Sequence, residues 1–314
     1  MNLDPKTFIA EKVKEISSAV RGEIAVSALS GGVDSSVVTM LAHRAIGDRL
    51  KVYFIDTGLM REGEPQEVVK TFTELGVKVQ LLDESEKFFG ALKGLTDPEK
   101  KRDKGITDVF YRQVFGPIVR QSRAKYLLHG TNKTDVEETV SGIKRQHNIL
   151  RQLGIDPEKE YGYQVLEPLV DLRKDEIREV AKELGLPEKI CNRPPFPGPG
   201  LSVRVLGEVT SEYIAVARKA DKIVCDELKD SGAFQYLAIL HKDKVTGIRK
   251  GKREFGYQIE VRCWESKDAT TGTPTELPWQ TLLRLGERLT SEIPGVVSAT
   301  YNITKKPPST IEGE

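Results

Sequence analysis

Through the first half of this 314-residue chain, short β-rich runs alternate with helix-periodic stretches, a pattern that admits few folds. Parallel strands need a crossover between them, and an amphipathic helix is the usual one, so this alternation implies a parallel sheet covered by helices. The runs are 23–29, 51–56, 78–82, 125–129 and 164–169. Between them lie stretches such as 35–46, where Val37, Val38, Leu41 and Ile46 form an apolar stripe, and 65–75, where Val68, Val69, Phe72 and Leu75 do the same. The expected fold class is α/β: a doubly wound parallel sheet, with ligands at the carboxyl ends of its strands. A helix over 171–184 closes this part, with Gly185 and Pro187 as stop signals.

The run RPPFPGPG at 193–200 carries too many prolines and glycines for a regular element, so the domain boundary is placed there, giving domains 1–193 and 194–314. A plain linker and a packed segment both stay open for it, with Phe196 and the apolar pattern that follows favouring packing. Beyond it, a helix over 211–228, strands at 234–240, 244–248 and 257–263, a helix over 279–289 and a strand at 297–303 predict a second, smaller α+β domain.

Charge and cysteine content narrow the function. Lys+Arg number 48 against 47 Asp+Glu, a net charge of +1 that gives no whole-protein attraction to nucleic acid or to an anionic membrane, so any phosphate binding must be local. No apolar run is long enough to span a bilayer, and the first residues carry charges rather than a signal-peptide core, so a cytoplasmic address is expected. Cys191, Cys225 and Cys263 lie far apart with no CxxC pair, which signals neither a disulfide framework nor a metal cage and leaves the metal ligands unassigned.

The chemistry concentrates in Ser30-Gly31-Gly32-Val33-Asp34-Ser35-Ser36, which follows an apolar strand and opens a helix. Two glycines and three hydroxyls at such a turn let backbone N–H groups approach an anion, and the helix N-terminus adds partial positive charge. The lysine of a GxxxxGK[ST] loop is missing, and there is no GxGxxG turn.

SGGVDSS resembles the pyrophosphate loop of the ATP pyrophosphatase superfamily, which implies cleavage of ATP between its α and β phosphates. Further stretches are similar to the ATP pyrophosphatase part of GMP synthases: LSGGVDSS, HRAIGDRL at 43–50, DTGLMR at 56–61, DPEKKR at 97–102, PFPGPGLSVRVLGEV at 195–209 and KPPSTIE at 306–312. The resemblance spans nearly the whole chain. It implies a ligase that uses ATP and magnesium (Mg2+) to convert xanthosine monophosphate (XMP) and ammonia to GMP, through an adenyl-XMP intermediate, with release of AMP and pyrophosphate.

Carried over motif by motif, Ser30, Gly31, Gly32, Val33, Asp34, Ser35 and Ser36 would hold the ATP phosphates, Asp56 would lie near the adenosine, and Gly130, Thr131 and Asp135 would belong to the loop after the fourth strand. Arg102, Arg204, Arg262, Lys306, Thr310, Ile311 and Glu312 fall where the family contacts XMP. Asp34, Lys144 and His147 would be the catalytic residues, the last two in a lid, IKRQHN, where Arg145 and Gln146 depart from the family's small hydroxyl and first histidine.

The chain opens close to its first strand, and none of its cysteines sits in a Gly-Cys-Gly elbow, so a separate glutamine amidotransferase subunit is expected to supply ammonia. The C-terminal module of the family implies a homodimer. Two other readings stay open at this point: a paralogue that adenylates a different acceptor, and a catalytically silent ATP-binding subunit.

Overall fold

A computed structural model describes residues 3–140, 158–159, 162–193, 195–266 and 270–314. The chain forms two compact units. One comprises Met1–Asp56, Gly63–Glu84 and Phe110–Arg193, and the other Thr57–Glu62, Ser85–Val109 and Pro194–Glu314.

The first unit is built on a five-stranded sheet: β1 (Ala25–Ala28), β2 (Leu50–Asp56), β3 (Val79–Asp83), β4 (Tyr126–Leu128) and β5 (Gln164–Leu166), in the order β3-β2-β1-β4-β5. Every pairing is parallel. The central strands are apolar on both faces, as a doubly covered sheet requires: Ala25, Val26, Val52 and Phe54 are buried, whereas the edge strand β3 leaves Leu81 38% exposed. The one polar residue buried inside β1, Ser27, is satisfied at 2.9 Å by Thr39.

Helix α1 (Pro5–Val20) starts at Asp4, whose carboxylate accepts from the Lys6 and Thr7 N–H groups, and it buries Ile9, Ile16 and Val20. Helix α2 (Val33–Ile46) follows β1 and is buried along most of its length, at Val37, Val38, Met40, Leu41, Ala42 and Ile46. Helix α3 (Glu64–Glu74) turns an amphipathic face inward through Val68 and Phe72. Helix α4 (Lys174–Glu183) does the same through Ile177, Val180 and Ala181, and its first turn is closed by the Arg173 N–H donating to Glu176 at 2.8 Å. Because the chain leaves β1 toward β2 on one side and returns to β4 on the other, the order reverses between β1 and β4. That reversal places the crevice at the carboxyl ends of these two strands.

The second unit is a mixed sheet in the order β10-β8-β7-β6, with β9 paired to β8. The strands are β6 (Val205–Leu206), β7 (Gln235–Arg249), β8 (Lys252–Glu265), β9 (Thr273–Pro274) and β10 (Val296–Tyr301). Strands β7 and β8 form one long hairpin, closed by Lys250 and Gly251 with φ of 51° and 73°, the mirror-image turn that matches strand twist. Helix α5 (Ser211–Leu228), capped by the Thr210 hydroxyl, packs along β7, and α6 (Trp279–Glu292) packs along β10. On the α6 side, Val261 shares a groove with Leu282 and Leu285. On alternate positions, Leu237, Ile239 and Trp264 meet Ile311 of the C-terminal segment.

Besides 194–314, the second unit takes in 57–62 and 85–109. The contacts are polar and far apart in sequence. Arg218 donates to the Met60 and Gly58 carbonyls at 2.8 and 2.5 Å, and the Leu201 N–H donates to the Leu59 carbonyl at 2.8 Å. Lys101, only 1% exposed, donates to the carbonyls of Ser202, Val205 and Gly207 and pairs with Glu314. The proline-rich run is a packed segment: the Phe196 ring lies 4.4 Å from the Arg61 guanidinium and 5.1 Å from that of Arg204. None of the described helices is long and apolar enough to cross a membrane, and the three cysteines are free thiols.

Candidate active site

At the end of β1 the Leu29 N–H still donates to Tyr53 of β2, and the chain then breaks away through Ser30-Gly31-Gly32 into α2. The hydroxyls of Ser35 and Ser36 both donate to the Gly32 carbonyl, at 3.1 and 2.7 Å, and Ser30 and Ser35 share a 3.0 Å hydrogen bond. No side chain caps the start of α2, so its first-turn N–H groups carry the free donors and partial positive charge of a helix N-terminus.

Gly31 adopts φ +78°, and a Cβ there would lie 2.8 Å from both Arg193 Nη1 and Val68 Cγ2. Gly31→Ala therefore combines backbone strain with a clash, and ATP affinity measured by calorimetry should fall by about tenfold or more. Unchanged affinity would show that the loop shape is not needed for binding.

The loop after β4 closes on this turn. A Cβ at Gly130 would meet Ser35 N at 3.2 Å and Asp34 at 3.3 Å, so the two loops are in contact. Asn132, fully buried, donates to Asp34 Oδ2 at 3.1 Å. Asn132 and Asp135 lock one another: the Asn132 N–H donates to Asp135 Oδ2 at 3.2 Å and the Asp135 N–H to Asn132 Oδ1 at 3.0 Å. The other Asp34 oxygen, Oδ1, is buried and has no hydrogen-bond partner among the described residues. Burial, with Asp135 nearby, pushes the Asp34 carboxyl up to about 6 against the opposing pull of Lys174, Arg178 and the Asn132 hydrogen bond. Beside it His129, Thr131 and Glu167 form a chain, with Thr131 Oγ1 2.9 Å from His129 Nδ1 and 2.5 Å from Glu167 Oε1. Burial holds the His129 imidazole down to about 4, which keeps it neutral at pH 7.

The structure thus brings Ser30 to Ser36, Gly130, Thr131 and Asp135 together at the reversal between β1 and β4. Asp56 ends β2, where its carbonyl accepts from the Glu84 N–H. Lys144 and His147, with Arg145 and Gln146, lie outside the described residues. Sequence reasoning missed Asn132, which stands between two predicted residues in GTNKTD, and it missed Arg193 and Glu64, which reach the loop only through tertiary contact. Among the described residues no group of three His, Cys, Asp or Glu could hold a metal.

The second unit holds the residues expected to contact XMP. Arg204 is fully buried, donating to both Glu312 oxygens at 2.9 Å and pairing with Asp221, and Gln235 adds a third hydrogen bond to Glu312 at 2.8 Å. Although burial alone would lower its pKa, the carboxylates of Glu312 and Asp221 hold Arg204 above the ordinary guanidinium value. Arg262, 8% exposed, donates to Glu260 at 2.6 Å and to the Thr310 and Glu312 carbonyls at 2.7 and 2.8 Å.

Arg204 and Arg262 hold the C-terminal segment, which fixes Thr310, Ile311 and Glu312 in place. Lys306 joins that segment to Gly272 through two backbone hydrogen bonds, and Arg102, a third exposed, pairs with Asp103. Nothing in the sequence pattern links Arg204 to Glu312 across 108 residues.

Comparison with known proteins agrees with this geometry. Residues 4–112 match the NAD synthase family model, and residues 222–313 match the GMP synthase C terminal domain. A solved NMN synthetase from Francisella tularensis superposes with a TM-score of 0.50 at 18% identity, covering 64% of this chain and 79% of that one, a likeness of fold. One of the subunits of the glutamine-hydrolyzing GMP synthase of Thermococcus kodakarensis is 50% identical over 98% of this chain and 99% of its own. Its counterparts in Archaeoglobus fulgidus and Methanocaldococcus jannaschii are 47% and 46% identical, each over 99% of this chain and, respectively, 100% and 99% of their own. With half of its residues identical over essentially its whole length, the chain belongs to this family of GMP synthase subunits.

Proposed function

We propose that this chain catalyses the ATP-dependent amination of XMP to GMP, with ammonia delivered by a separate glutamine amidotransferase subunit. The observation that carries the reading is the glycine loop at the uncapped start of α2, with the Asp34 carboxylate buried beside it and one oxygen unpartnered. Ser30 to Ser36 hold the β and γ phosphates through N–H and hydroxyl donors, and these become the leaving pyrophosphate. Asp34 Oδ1, a hard oxygen donor, fits magnesium, which would offset the charge on that leaving group. Asn132 fixes the Asp34 carboxylate from behind.

The XMP C2 oxygen attacks the ATP α-phosphorus and pyrophosphate leaves. Ammonia then attacks C2, and AMP departs with the former C2 oxygen. Arg102, in the 85–109 segment, and Lys306, beside the C-terminal residues that Arg204 and Arg262 hold in place, are the cations proposed for the XMP phosphate. Support for pairing of two chains comes from the apolar groove of the second unit, where Trp279 is 69% and Leu283 48% exposed. A cytoplasmic address accords with the three free thiols.

XMP labelled with oxygen-18 at C2 tests the sequence of steps. Mass spectrometry should find the label in AMP and none in pyrophosphate. Unlabelled AMP would contradict adenylation at that oxygen.

A further inference from the structure

We infer that Arg193, held by Glu64, is a positioning residue for the pyrophosphate loop. This rests on the reading that the loop binds ATP. Arg193 Nη1 donates to the Gly31 carbonyl at 2.9 Å, while Nη2 pairs with the Glu64 carboxylate. Glu64 is 6% exposed and opens α3, so its position is set by a helix packed through Val68 and Phe72. Val68 also touches the loop, since the space where Gly31 would carry a Cβ is filled from two sides by Val68 and Arg193.

The Gly31 carbonyl and the Gly32 N–H belong to one planar trans peptide, so they point in opposite directions. Gripping the carbonyl from behind therefore aims the Gly32 N–H forward. Among the described residues that N–H is held only by a long 3.4 Å hydrogen bond to Ser30 Oγ, a weak contact that an incoming phosphate oxygen can replace. A guanidinium suits the task because its fork engages a carbonyl and a carboxylate at once, which an ammonium on a flexible stem does not. The pair carries no net charge, so its effect on the anion is one of geometry.

Arg193→Lys and Glu64→Gln separate geometry from charge. Lysine keeps the cation but loses the fork. Glutamine removes a negative charge near the phosphates, so a purely electrostatic role would make binding tighter. Calorimetry with magnesium pyrophosphate and with ATP, together with KM for XMP and the thermal midpoint, reads the outcome. Both variants should weaken pyrophosphate and ATP binding by about tenfold or more, with KM for XMP within about twofold of the parent. ATP binding within about twofold of the parent in both variants, or tighter binding in Glu64→Gln, would overturn the inference. Equal losses for ATP and XMP would overturn it as well, by showing a general structural role. If the parent protein binds neither ATP nor pyrophosphate, the reading of the loop itself fails, a result distinct from parity between variants and a binding parent.

Discussion

Asp34→Asn should yield a ligand-free protein that is more stable than the parent at pH 7 to 8 and almost devoid of synthetase activity. The Asp34 carboxyl is raised to about 6 in the folded protein, mainly by burial, from an ordinary value of 3.8. Between those values the folded chain binds more protons than the unfolded one, so stability falls as pH rises through the window and the full penalty stands above about pH 6. A shift of this size corresponds to at most about 3 kcal/mol, and partial solvation of a site open to ligand reduces it to about 1–2 kcal/mol. Asparagine carries no charge and escapes the penalty, so its advantage should appear at pH 7 to 8 and vanish below pH 4. Lys174 and Arg178 already draw the carboxyl down and Asp135 pushes it up, so these neighbours set the midpoint. Activity should drop by about a hundredfold or more, since an electrostatic group at the phosphates is lost. Thermal melts across pH and steady-state kcat check both halves. A destabilised variant with intact kcat would contradict the account.

Arg204→Met should be the most destabilising single change in the second unit. It leaves Asp221 and Glu312 without the cation that joins them, and removing one partner of a buried ion pair costs about 3–5 kcal/mol. The thermal midpoint should fall by roughly 8–15 °C for a unit of this size. Adding Glu312→Gln and Asp221→Asn should recover part of the loss, and a mutant cycle measures the coupling. A stable Arg204→Met protein with selectively weakened XMP binding would contradict the structural role and return Arg204 to the substrate.

Much of the architecture was legible because its signals are local. The helix predicted over 211–228 is observed as Ser211–Leu228, and each of the five strand runs of the first unit appears within a few residues of its expected place. The phosphate turn is likewise a contiguous string. The long β7–β8 hairpin was read as three short strands because the polar residues Lys242, Asp243 and Lys252 to Glu254 interrupt the apolar alternation, while backbone pairing continues through Lys252 to the Lys250-Gly251 turn. The pairing of 57–62 and 85–109 with the later segment was illegible, since it rests on single polar contacts such as Lys101 to three distant carbonyls. The same reason hid Arg193 behind the phosphate loop. Arg204 and Glu312 were both singled out, but their pairing with each other was not, since no local pattern links two residues so far apart in the chain.

The most direct test of the central claim is a product balance. Purified protein incubated with ATP, magnesium and ammonium, with and without XMP, should form AMP, pyrophosphate and GMP in equal amounts, and only when XMP is present. Pyrophosphate release that does not depend on XMP, or that is not matched by GMP, would contradict it.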